Sequence, residues 1–106
     1  MTFFDFLKQP DLNPGVKDHQ ATPGAVLPDV RTPEGYREGH IPVSKNVPLQ
    51  SLDKATGFVN NQDTPVFLCC HSGAGSRQAV GVLRRMGYAN VKNIGGIAAY
   101  AGKVER

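Results

Sequence analysis

The chain has two cysteines, and they stand side by side as Cys69 and Cys70 in the stretch FLCCHSGAGSRQAV, residues 67–80. An apolar run ends in the pair, His71 follows, and small residues lead into a helical pattern. Thiolates are nucleophiles, and position separates the two sulfurs. Cys69 lies within the apolar run, where a cysteine acts as a small buried hydrophobe. Cys70 stands at the end of that run and is the expected nucleophile. Small residues after it let the backbone curl so that successive N–H groups point inward as an anion-binding nest. A helix N-terminus, with Ser76 as its expected cap, adds unsatisfied donors and partial positive charge at the same place. Helix N-termini lower a cysteine pKa from about 8.5 to roughly 3.5–7.5. A thiol on such a rim is suited to carrying a negatively charged group.

Other chemistries fit poorly. No C-x-x-C or comparable metal spacing occurs, and three consecutive side chains, Cys69, Cys70 and His71, do not converge on one ion. No metal and no cofactor are expected. A disulfide between adjacent residues would be strained, so both sulfurs are read as thiols, as in a cytoplasmic protein. The opening MTFFDFLKQP lacks a basic region and a long apolar core, so no signal peptide is expected. No run approaches the roughly 18 apolar residues of a membrane span. Twelve basic against nine acidic residues give a net charge of +3, and the basic residues are scattered. That favours small anions over nucleic acid. With 106 residues, 40% of them hydrophobic and 20% charged, one globular domain is expected.

The elements that must position Cys70 follow from patterning. PVFLCC reads as a strand buried on both faces. Beyond the turn, Ala79, Val80, Leu83 and Met86 recur at helical spacing, with Arg84 and Arg85 in the last turn and Gly87 as the stop. AVLPDV, KNVPL and ANVKNI read as further strands. Pro28 interrupts the first, so it should bulge or lie unpaired on one side. Thr32-Pro33 caps a short helix, and Asn13-Pro14 is expected to cap another. TFFDFLK is read as an amphipathic turn, SLDKATGFVNNQDT as a loop holding a short helix, and Gly95-Gly96 as the opening of a last helix. Residues 1–23 are read as an N-terminal extension packing on a domain of residues 24–106. Alternating strands and helices argue for a parallel sheet, with ligands beyond the carboxyl ends of the strands.

The segments PDVRTPEGYREGHIPVSKNVP and FLCCHSGAGSRQAVGVLRRMGYANVKNIGGI resemble a rhodanese domain, of the kind in single-domain sulfurtransferases related to phage shock protein E. Asp29-Val30-Arg31, Tyr36, Gly39-His40-Ile41-Pro42, the Cys70 loop and Gly95-Gly96 carry the resemblance from about Gly24 to Tyr100. It implies an α/β three-layer sandwich with a five-stranded parallel sheet flanked by helices. It also implies a Cys70 persulfide, loaded from a donor such as thiosulfate and passed to a thiol, cyanide or a sulfur-acceptor protein. The substrate-binding residues would be His71, Ser72, Gly73, Ala74, Gly75, Ser76 and Arg77, the loop holding the outer sulfur through backbone N–H groups.

This chain departs from the family at Gly75, where many relatives have arginine, with Arg77 two residues on. It departs also at Val43, commonly glycine, and at Pro28. Gly75 favours an alternative, a sulfur-carrier or docking module without turnover. A phosphatase or arsenate reductase would need H-C-x5-R, which the chain lacks. His40 is expected to hold its loop by a hydrogen bond, Asp29 and Arg31 to form an ion pair, and Ile97 to pack.

Overall fold

The computed structural model describes residues 12–52, 61–71 and 74–106. In chain order the elements are α1 (Leu12–Ala21), β1 (Pro28–Asp29), α2 (Pro33–Glu38), β2 (Lys45–Asn46), β3 (Val66–Cys70), α3 (Ala74–Arg85) and β4 (Val91–Gly96), with a 3-10 turn at Ile97–Ala99. The strands form one sheet in the order β2-β1-β3-β4, and each neighbouring pair is parallel. The expected α/β class is found, with four strands among the described residues where the resemblance implied five. The chain's own strand-like apolar runs number four, and each supplies one strand.

Alternation along β3 builds two core layers. Val66, Leu68 and Cys70 pack with Val91 of β4 and with Ala79 and Leu83 of α3. Phe67 and Cys69 point the other way, among Leu12 and Val16 of α1, Leu27, Ile41 and Ile94. Every residue of β3 is buried, as expected for a strand covered on both faces. α1 lies within the expected N-terminal extension and buries Leu12 and Val16 in the second layer.

Three local details bear on these expectations. Asn13 lies inside α1, and its Oδ1 accepts the Ala101 N–H at 2.8 Å, tying the helix to the C-terminal segment. Val26 and Val30 donate to Pro65 and Cys69 carbonyls of the β3 segment. Pro28 stands midway between them, where an N–H would face β3, so the ladder lacks a donor there and β1 is short. β4 runs through Gly96, which is also the N-cap of the short 3-10 helix Ile97–Ala99 that follows the glycine pair, and its pairing with β3 shifts between Leu68 and Cys69. Gly95 takes a φ of 109° there, a conformation open to glycine.

The other helix signals hold. The Thr32 Oγ1 accepts the Gly35 N–H at 3.2 Å. Gly87, with φ 100°, ends α3. Residues 49–52 form a 3-10 turn. The turn expected in TFFDFLK lies outside the described residues, as does most of the segment where a short helix was expected after Ser51. No helix among the described residues is long and apolar enough to cross a membrane.

Candidate active site

Cys70 closes β3 at the carboxyl edge of the parallel sheet, beside the start of α3. Alternation turns its side chain toward α3, where it is 5% exposed. Ser76, Ala79 and Leu83 share the buried stripe of α3 at i, i+3 and i+7. That stripe brings the Ser76 Oγ to 3.4 Å from the Cys70 Sγ. The Ser76 hydroxyl donates to Asn93 Oδ1 on β4 at 2.6 Å, and the Gly95 N–H donates to the same oxygen at 2.9 Å. A sulfur, a hydroxyl and an amide from three neighbouring elements thus form one polar line in an otherwise apolar layer.

The loop itself is shorter than expected. α3 begins at Ala74, so Gly75 and Ser76 sit in its first turn, and Ser76 is no cap. Its hydroxyl donates to Asn93. His71 is exposed, and its carbonyl accepts the Ala98 N–H at 3.1 Å, which fastens the loop to the 3-10 turn. Ser72 and Gly73 lie outside the described residues.

Gly75 faces the sulfur. A Cβ there would lie 3.6 Å from the Cys70 Cβ and 3.8 Å from its Sγ, ordinary contact distances. Its φ is not positive, so the backbone does not require glycine. Arg77 is exposed and lines a cleft of about 430 Å³ between α3 and β4, together with Arg84 and Asn93.

Arg31, past the end of β1, supplies charge to the site. Its guanidinium meets both oxygens of Asp29, with Nη2 at 2.8 Å from Oδ2, and interacts electrostatically with both cysteines. Burial pushes the Cys69 thiol well above its ordinary range, with the charges of Asp29 and Cys70 adding and Arg31 opposing. Cys69 is therefore a buried, protonated core residue. Neither cysteine is in a disulfide.

The expected structural histidine is found: the His40 ring holds the Tyr36 carbonyl through Nδ1 at 2.8 Å and stacks on the Tyr36 ring at 3.7 Å. Ile97 packs against the α1-side core. Among the described residues no group of His, Cys, Asp or Glu could hold a metal ion. Asn93 is the member of the site that sequence reasoning missed. Its signal was a polar residue in step with Val91, on the face of β4 that turns toward α3.

Comparison with known proteins adds to this geometry. Residues 13–103 match the rhodanese-like domain family. The chain is 39% identical over 71 residues to thiosulfate sulfurtransferase PspE of Escherichia coli, covering 65% of this chain and 67% of that protein. It is 36% identical over 81 residues to a sulfurtransferase of Allochromatium vinosum, covering 76% of this chain and 75% of that one. The chain thus spans about two thirds to three quarters of the length of these relatives. A solved structure of a rhodanese with anions from E. coli superposes with a TM-score of 0.73 at 31% identity, over 77% of this chain and 98% of that one.

Proposed function

The chain belongs to the rhodanese-like domain family, and from that membership we propose that it is a sulfurtransferase whose Cys70 carries the transferred sulfur as a persulfide. The observation that supports this reading is the placement of Cys70. Of the two thiols, it alone stands at the sheet edge beside a helix start, while Cys69 is 0% exposed in the core.

With thiosulfate as donor, the Cys70 thiolate attacks the sulfane sulfur. The donor S–S bond breaks, and sulfite leaves with its electron pair. Cyanide or a thiolate then attacks the outer sulfur of the persulfide, and the Cys70 thiolate leaves. An acceptor thiol on another protein would be served by the same step. The backbone of residues 71–76 is proposed to cradle the outer sulfur, and the exposed Arg77 to attract the incoming anion. Reduced thiols of this kind fit a cytoplasmic setting.

Intact mass after incubation with thiosulfate tests the reading. One added sulfur atom is expected in the wild type and in Cys69→Ala, and none in Cys70→Ser. Loading that survives in Cys70→Ser would overturn the assignment. A second reading, a carrier that loads but does not turn over, is favoured by the bare Gly75 beside the sulfur. Sulfur loading without cyanide-dependent thiocyanate release would decide for it.

A further inference from the structure

The proton positions in the Cys70–Ser76–Asn93 line follow from which groups can donate. The Gly95 backbone N–H can only donate, so the Asn93 atom it meets at 2.9 Å is the amide oxygen. That oxygen can only accept, and the Ser76 Oγ lies 2.6 Å from it. The single hydroxyl proton of Ser76 is therefore committed to Asn93. What Ser76 turns toward the Cys70 Sγ, at 3.4 Å, is a lone pair. In this state the Cys70 S–H is the donor of the pair.

A negative sulfur reverses that requirement. Once Cys70 has given its proton to water or a buffer base, a serine lone pair facing the sulfur is repulsive. Rotation about the Ser76 Cβ–Oγ bond removes the repulsion: the O–H leaves Asn93 and turns to the sulfur. No covalent bond changes. The balance between the two orientations depends on how strongly Asn93 holds the hydroxyl proton.

We propose that Asn93 is a positioning residue for Cys70, acting through Ser76 by competing with the sulfur for the one hydroxyl proton. The proposal rests on Cys70 being the reactive sulfur. Asn93 acts through the Ser76 hydroxyl, which its Oδ1 holds at 2.6 Å. It sets the proton that Ser76 can lend, and with it the ease of reaching a charged sulfur, whether thiolate or persulfide. Ionisable groups near Cys70 among the described residues include Arg31 beyond β1, Cys69 before it on β3, the exposed His71 after it and the exposed Arg77 on α3. None of them is altered in the comparison below.

The test is the pH–rate profile of Cys70 alkylation by iodoacetamide, with Cys70→Ser identifying the labelled thiol. Alkylation reads the thiol without any sulfur donor, so failure here is distinct from failure of the sulfur-loading test. Asn93→Leu removes the competing acceptor, and Asn93→Asp strengthens it while keeping an acceptor for Gly95. Each is made with Ser76 intact and with Ser76→Ala. Asn93→Leu is expected to move the profile to lower pH, and Asn93→Asp to higher pH. Both shifts should shrink by about threefold or more in rate when the hydroxyl is gone, as residues coupled through one hydrogen-bond network do. A shift of equal size in both Ser76 backgrounds, or no shift in either variant, would overturn the proposal. Asn93→Asp preserves the acceptor at the β4 bulge, so it decides the matter if Asn93→Leu does not fold.

Discussion

Arg31 turns back onto Asp29, two residues before it, and neutralises a carboxylate whose residue is 0% exposed. The Asp29 Oδ1 also accepts the Arg31 backbone N–H at 3.0 Å, and Arg31 Nη2 reaches the Gly39 carbonyl at 2.7 Å. The Asn46 side chain donates to the carbonyls of both residues. Burial works against the arginine charge, but hydrogen bonds and attraction from Asp29 outweigh it and hold its pKa above the ordinary value. One pair thereby joins the end of β1, β2 and the loop after α2, and fixes a cation near the two sulfurs.

Removing only the arginine strands that carboxylate. Arg31→Met is expected to cost about 3–5 kcal/mol, as broken buried pairs do. Urea denaturation reads the loss, and Asp29→Asn combined with Arg31→Met should recover much of it. If Arg31→Met alone costs less than about 1 kcal/mol, the carboxylate is not dependent on its partner.

Burial and protonation both protect Cys69. In the folded protein at about pH 8, iodoacetamide should modify Cys70 and leave Cys69 intact, since the thiolate is the reactive form. In urea both should react. Peptide mapping showing native label on Cys69 would contradict the complete burial of that residue in the α1-side layer.

Gly75 lies in the first turn of α3 with room for a side chain. Gly75→Ala should stabilise the fold by about 0.5–1 kcal/mol, through the lower freedom of the unfolded chain. Gly75→Arg would set a guanidinium beside the sulfur. A hydrogen bond to a charged group contributes on the order of 1.5–3 kcal/mol, so kcat/KM for thiosulfate is expected to rise roughly ten- to a hundredfold. A folded Gly75→Arg with lower kcat/KM would mean that the side chain blocks the approach to Cys70.

His19 provides a pH signature on α1. Burial lowers its pKa from the ordinary 6.5, and the nearby Ala25 backbone offsets part of this without reaching hydrogen-bond geometry. Its buried Nδ1 has no hydrogen-bond partner among the described residues, and the ring meets Phe67 edge-on at 5.8 Å. Below 6.5 the unfolded chain takes up the proton first, so this residue's contribution to stability is present above that pH and falls as pH drops beneath it. His19→Gln should flatten the decline in denaturation midpoint between about pH 6.5 and 5. An unchanged slope would place the titration elsewhere.

What the sequence makes legible here is what periodicity and turn chemistry control. The continuous apolar run of β3 and the helical spacing of Ala79, Val80, Leu83 and Met86 place a strand that ends in Cys70 against the apolar face of α3. Asn93 was harder to read, because its role depends on β4 lying beside β3 in one register, which no local pattern states. The start of α3 was misjudged for a related reason. Ser76 has the composition of a cap, yet its hydroxyl is drawn off by a partner seventeen residues away. The cap of Asn13 was lost in the same way, to a backbone N–H at Ala101.

The register shift in β4 sets Gly95 opposite Cys69 and Gly96 opposite Cys70. The lateral neighbour of Cys70 on the sheet is thus a residue without a side chain, and Gly75, which faces the Cys70 sulfur from α3, is another. The missing β-carbon at Gly75, beside the sulfur, and the one at Gly96, the sheet partner of Cys70, would together act as an aperture whose width is written in single methyl groups. Alanine at either place would be a graded shutter: small acceptors such as cyanide would pass, while a cysteine borne on a protein surface would be the first excluded.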